Sequence, residues 1–254
     1  MPSAPLPPSP SRPGLARDAA RALGSTALAL LGLAFWAGFG LDHVLKALAV
    51  YTLGAGLVWR GLQADGSHPH ARFGTANRIT LARLAGMAWL AALLGEALPT
   101  ATLHAGWGLV VLATALALLD AVDGHFARRE GLASRFGARF DMETDAAFTL
   151  VLSALVLQAG QAGAWVLVAG LMRYAFVAAA ALWPWLAAPL PPSRRRQAVC
   201  VAQITTLIVC LGPTVPASLA SALAALSLML LSASFGSDVL HLARERARRE
   251  ETPA

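Results

Sequence analysis

Leu118-Leu119-Asp120-Ala121-Val122-Asp123-Gly124-His125-Phe126-Ala127-Arg128 is followed, after eight further residues, by Gly137-Ala138-Arg139-Phe140-Asp141-Met142-Glu143-Thr144-Asp145. Apolar runs flank both stretches, 106–119 before and 146–157 after, so four carboxylates stand at the ends of otherwise apolar segments. On a helix, Asp120 and Asp123 lie three apart and share a face, and Asp141 and Asp145 do so four apart. An acid inside a membrane helix costs about 2.5–3.5 kcal/mol on insertion scales, so four of them need a reason beyond packing. The short connection makes the two helices antiparallel neighbours, which lets both pairs converge. Carboxylates gathered in this way repel one another, and a divalent cation relieves the repulsion. The donors are all hard oxygens, with no His or Cys, which favours Mg2+ or Mn2+ over Zn2+. Gly124 admits a bulky ligand close to the helix, and Arg128, about a turn further on, offers a forked donor to phosphate. Glu143 falls at an odd offset between Asp141 and Asp145 and turns away from their face.

Outward from this stretch, the rest of the chain reads as membrane protein. Of 254 residues, 57% are hydrophobic and only 13% charged, with mean hydropathy +0.59. Soluble domains are about a quarter charged. A bilayer core takes roughly 20 apolar residues per helix, and several such runs are present. The short alternating segments of a β-barrel are missing, so the expected class is an all-α polytopic membrane protein. Eight helical spans are expected, near 23–39, 43–62, 79–98, 106–126, 140–158, 164–185, 198–211 and 217–242. The Pro- and Ser-rich start reads as a disordered tail over residues 1–21, and the first apolar run, lacking a small-residue cleavage site, as a retained span.

The net charge of +6 could suggest a nucleic-acid partner, but its placement argues for membrane orientation instead. Arg12, Arg17 and Arg21, Arg60 and Arg72, Arg128 to Arg139, Arg194 to Arg196, and Arg244 to Arg249 all fall on one side of an eight-span map. The opposite connections carry neither Lys nor Arg. The positive-inside rule then puts both termini, the basic loops and the carboxylates on the cytoplasmic side. Lys46, the single lysine, sits a turn into the second span and is expected to snorkel. Cys200 and Cys210 share one apolar segment and have no metal-site spacing. Gln203, in an otherwise apolar span, is a weak candidate for a site-facing residue.

Residues 120–145 resemble the signature of the CDP-alcohol phosphotransferase (CDP-alcohol phosphatidyltransferase) family, D-x2-D-G-x2-A-R-x8-G-x3-D-x3-D, at all eight specified positions. Upstream, Asn77-Arg78-Ile79-Thr80-Leu81-Ala82-Arg83 is similar to the family's N-x-L-T-x2-R segment, with Ala76 where many members have Pro and Ile79 for the usual Leu. The resemblance implies a six-helix catalytic core over 65–243, preceded by two additional transmembrane helices over 22–64 and followed by a basic tail at 244–254. It implies that Asp120, Asp123, Asp141 and Asp145 bind two divalent ions that grip a CDP pyrophosphate, and that Asp145 is the general base. Asn77, Thr80, Arg83, Gly124, Ala127, Arg128, Ser134 and Gly137 would line the CDP pocket. Arg83 and Arg173 also admit a simpler reading, as arginines that snorkel to the interface.

The resemblance further implies a CDP-diacylglycerol-like donor, a polar alcohol acceptor, release of CMP and a homodimer. Arg139, Arg173, Arg194, Arg195 and Arg196 suit an acceptor that carries its own phosphate, or else serve only to orient the helices. Abundant Ala and Arg fit a GC-rich bacterial genome, hence a bacterial inner membrane. A secondary transporter would account for buried acids. It would not account for the Gly124, Ala127, Arg128 and Gly137 spacing, or for acids clustered at one membrane face.

Overall fold

The computed structural model describes residues 12–36, 39–63, 72–98, 103–130, 134–191 and 193–251; side chains at 12–13, 34–36, 103–105, 121–130 and 249–251 lie outside that description. Eight α-helices are present among them, and no strand: α1 (Arg12–Trp36), α2 (Leu41–Gln63), α3 (Thr75–Ala92), α4 (Leu103–Glu130), α5 (Arg135–Gln158), α6 (Leu167–Leu182), α7 (Arg194–Cys210) and α8 (Ala217–Glu251). The order matches the expected spans one for one. Three of the eight are long and apolar enough to cross a membrane by length and composition, in α2, the α6 region and α8. Their outward faces are apolar: Leu53 and Leu57 on α2, Leu182 on α6, and Leu226 and Met229 on α8 are each more than half exposed. A helix that is apolar on its exposed face as well as its buried one is a helix made for lipid.

Several boundaries differ from the sequence expectation. Helix α1 begins at Arg12, so residues 12–21 are helical rather than part of a disordered tail. Hydropathy marks where a helix meets lipid, whereas the Ala- and Leu-rich 14–23 stretch is already a good helix former. Helix α3 stops at Ala92 with Leu93 as its C-cap, short of the expected 98, and Gly95 (φ 81°) turns the chain. Helix α6 ends at Leu182 because Trp183 is extended before Pro184, which starts a short 3-10 turn. Helix α8 runs on through the basic segment to Glu251 instead of ending near 242. At 35 residues it is about 52 Å long, more than a bilayer core requires.

The chain forms two compact units. The first comprises residues 1–93 and 115–145, the second 94–114 and 146–254, so α4 and α5 contribute to both. In the first, glycines set the helix spacing. A Cβ at Gly54 would stand 2.8 Å from Leu84, and one at Gly86 would stand 2.4 Å from Leu116. The second close approach draws α3 onto α4 one turn from Arg83 and one turn from Asp120. In the same unit, Phe73, Phe136 and Phe140 form an aromatic row, with centroids 6.4 and 5.9 Å apart. In the second unit, α7 and α8 form an antiparallel pair, and a Cβ at Gly170 of α6 would meet the Leu150 Cα of α5 at 2.3 Å.

Candidate metal centre and anion pocket

The first unit gathers three of the four aspartates. Asp120 at the end of α4's apolar stretch, and Asp141 and Asp145 one turn apart on α5, bring carboxylate oxygens within 4.8 Å of one another. The i,i+4 spacing and the antiparallel run of α4 and α5 achieve this. Asp123, Gly124, Ala127 and Arg128 lie on α4, with side chains outside the described residues. Glu143 is exposed, as its offset requires.

At the centre of the three carboxylates is Arg83. Its Nη1 donates to Asp141 Oδ1 at 2.7 Å and lies 2.8 Å from Asp120 Oδ1, while Nη2 donates to Asp145 Oδ1. The arginine side chain is 3% exposed and the carboxylates about a third. The reading of Arg83 as a snorkelling arginine is therefore corrected. It turns inward because three carboxylates repay the desolvation of one guanidinium far better than an interface would. Nothing in its sequence neighbourhood announces this, since its partners lie 37 to 62 residues away.

The N-terminal turn of α3 meets the first turn of α5 beside this cluster. Asn77 is buried, and its Nδ2 donates to the Phe73 carbonyl. Thr80, also buried, donates to the Ala76 carbonyl at 3.1 Å. Ser134 accepts from the Gly137 N–H at 3.0 Å. A Cβ at Gly137 would stand 2.9 Å from Asn77 Oδ1 and 3.2 Å from Ser134 Oγ. Glycine is what allows α3 and α5 to approach here, so Asn77, Ser134 and Gly137 are neighbours. Arg139 is exposed on α5.

The remaining arginines belong to the second unit. Arg173 is half-buried on α6 and Arg194 is exposed. Arg195 and Arg196 converge on one carboxylate that sequence reasoning passed over. Asp238 of α8 is 8% exposed, and its Oδ1 lies 2.7 Å from Arg195 Nη2 and 3.3 Å from Arg196 Nη1. Arg195 also donates to Ser237 and Arg196 to the Pro191 carbonyl. Ser193 caps α7 through the Arg196 N–H. With His241 these residues line an open pocket of about 370 Å³. Gln203 is 2% exposed, and neither polar atom of its amide has a hydrogen-bond partner among the described residues.

A chain that is helical throughout its described elements, with membrane-length apolar helices, is a polytopic membrane protein, and its first unit carries a cluster of three carboxylates. Residues 73–233 match the family model for CDP-alcohol phosphatidyltransferase, and the chain belongs to that family. No curated protein and no solved structure is significantly similar to it. Members of this family are transferases that use a CDP-alcohol donor and an alcohol acceptor and typically depend on a divalent metal. The matched segment contains every residue of the acidic cluster and of the Asn77–Gly137 contact, and it ends just short of Asp238.

Proposed function

We propose that this protein transfers a phosphatidyl group from a CDP-linked lipid, CDP-diacylglycerol, to the hydroxyl of a polar alcohol, with release of CMP. The observation that carries this reading is the convergence of Asp120, Asp141 and Asp145 within the family-matched segment. The set fits a hard divalent cation, being all carboxylate, partly accessible and in surplus over the one guanidinium it holds. Asp120, Asp141 and Asp145, with Asp123 of the same motif, would hold Mg2+ or Mn2+, in two ions by the family pattern. When bound, the metal supplies charge neutralisation for the pyrophosphate.

The chain's own residues do the rest. Asn77, Thr80, Arg83, Ser134 and Gly137, with Gly124, Ala127 and Arg128, line the donor pocket and fix the CDP group. Asp145 takes the proton from the acceptor hydroxyl. The oxygen then attacks the β-phosphorus in line, the bond to the bridging oxygen breaks, and CMP leaves. Catalysis of this kind rests on positioning and electrostatics. Arg83 orients the carboxylates through its two-pronged contact and limits their mutual repulsion. The acceptor carries a phosphate of its own, held by Arg195 and Arg196 in the pocket at the start of α7. Arg173 and Arg194 of the same unit are assigned to the same binding role.

Both termini and the acidic cluster face the cytoplasm of a bacterial inner membrane, and the enzyme works as a homodimer. Single cysteines near 98 and 161 should react with an impermeant reagent from outside, and cysteines near 195 should not; the reverse pattern would overturn the orientation. The central test is CMP release by the purified protein from labelled CDP-diacylglycerol and a panel of free and phosphorylated alcohols. Turnover should require Mg2+ or Mn2+ and stop on chelation. Failure with every acceptor in both metals would sink the reading.

A further inference from the structure

Helix α1 lies wholly outside the family-matched segment, yet one of its side chains reaches the turn from which α3 starts. Asp18 Oδ2 accepts from the Phe73 N–H at 3.0 Å, and Asp18 Oδ1 pairs with the Arg78 guanidinium. The turn itself explains the need. Gly74 adopts a positive φ of 82° as the N-cap of α3 and makes no side-chain cap hydrogen bond. The Phe73 N–H precedes the helix and has no place in its ladder. Asp18 supplies the acceptor, and through Arg78 it ties the same carboxylate to the first turn of α3.

What Phe73 holds makes this contact more than a brace. Its side chain is fully buried on the Phe136 ring, and its carbonyl receives the Asn77 Nδ2 donor. The other end of the Asn77 amide faces the Gly137 backbone beside Ser134. A continuous path therefore runs from Asp18 to Phe73, from Phe73 to Asn77, and from Asn77 to the start of α5. Next to Asp18, Ala19 is fully buried, so α1 cannot slide without repacking.

We propose that Asp18 is a positioning residue of the donor pocket: the additional N-terminal helix fixes Phe73 and Arg78, and thereby the orientation of the Asn77 amide. The inference rests on the assignment of Asn77 to the donor pocket. Asp18 touches no substrate, so its loss acts on donor affinity and leaves the reacting carboxylates in place.

The test compares D18A, D18N, R78A and N77A in the full-length protein by steady-state kinetics and by hydrogen–deuterium exchange. D18A should raise the KM for the CDP-linked donor about five- to twentyfold, the scale of one charge-assisted hydrogen bond acting indirectly, with kcat within about twofold and acceptor KM unchanged. Amides at 73–78 should exchange faster. D18N keeps an oxygen for the Phe73 N–H and should fall between D18A and wild type, close to R78A, and it serves should D18A fail to fold. If D18A or D18N lowers the melting temperature and the active fraction with donor KM unchanged, while N77A raises that KM, α1 is only a structural brace and the inference is wrong. An N77A variant with wild-type donor KM removes the pocket assignment, and the inference with it.

Discussion

The two units contain charge clusters built on opposite plans. In the first, one buried guanidinium, Arg83, is shared by three carboxylates on two other helices. In the second, one buried carboxylate, Asp238, is shared by two guanidinium groups on α7. Each cluster uses its minority charge as the buried hub and leaves the majority partly open to solvent. The surplus is negative in the first and positive in the second. A hub of this sort holds like-charged groups at close quarters without a ligand, and what the cluster attracts is set by the surplus. The proposed function assigns cations to the first and anionic groups to the second.

The largest expected effect breaks the first cluster at its chemistry. Asp145→Asn should lower CMP release by about a thousandfold or more, because an amide cannot accept the hydroxyl proton. Near-wild-type turnover in protein that inserts normally would remove Asp145 as the base. The next tests the second cluster. Arg195→Gln should raise acceptor KM about ten- to a hundredfold for a phosphorylated alcohol, the worth of a charged hydrogen bond, with little change for the donor. Equal use of an unphosphorylated alcohol by wild type and variant would leave these arginines an orienting role only.

A third prediction sharpens the contrast between hubs. Arg83→Met removes the internal cation, so Mn2+ measured by paramagnetic resonance should bind about tenfold tighter, since a divalent ion no longer competes with a guanidinium a few ångströms away. In chelator the same variant should lose about 2 kcal/mol of stability, less than a fully buried pair would cost because the carboxylates are a third exposed. Unchanged or weaker Mn2+ binding would show that Arg83 does not share its oxygens with the metal. The smallest effect is at Gly137→Ala, where the new methyl must displace Asn77 or Ser134 by a few tenths of an ångström. Donor KM should rise roughly threefold, with the metal dependence unchanged.

The sequence carries the first cluster more plainly than the second, and the reason is spacing. Asp141 and Asp145 advertise a shared face by their own i,i+4 interval, and the short α4–α5 connection supplies the neighbour. Helix number and order are legible for the same cause, because apolar runs are local. Arg83 and Asp238 are illegible as hubs because each meets its partners across 37 to 62 residues in one case and about 42 in the other. Asp238 also sits in the apolar stretch of α8, where His241 stands at helical spacing but no arginine does. Asp18 falls within the expected disordered tail because the Pro-rich start masks a helix that hydropathy alone begins too late.

Gly170 shows how far a silent position can reach. Its neighbour is the Leu150 backbone of α5, not a side chain that could rotate away, so even a methyl group at 170 must pry two helices apart. Leu150 lies five residues along that helix from Asp145, so a wedge there strains the same helix that presents two of the carboxylates. In a genetic screen for inactive alleles, Gly170 would be recovered beside the aspartates although it has nothing with which to bind a substrate. A map of sensitive positions drawn from such a screen would record the rigidity of α5 as much as the chemistry at its tip.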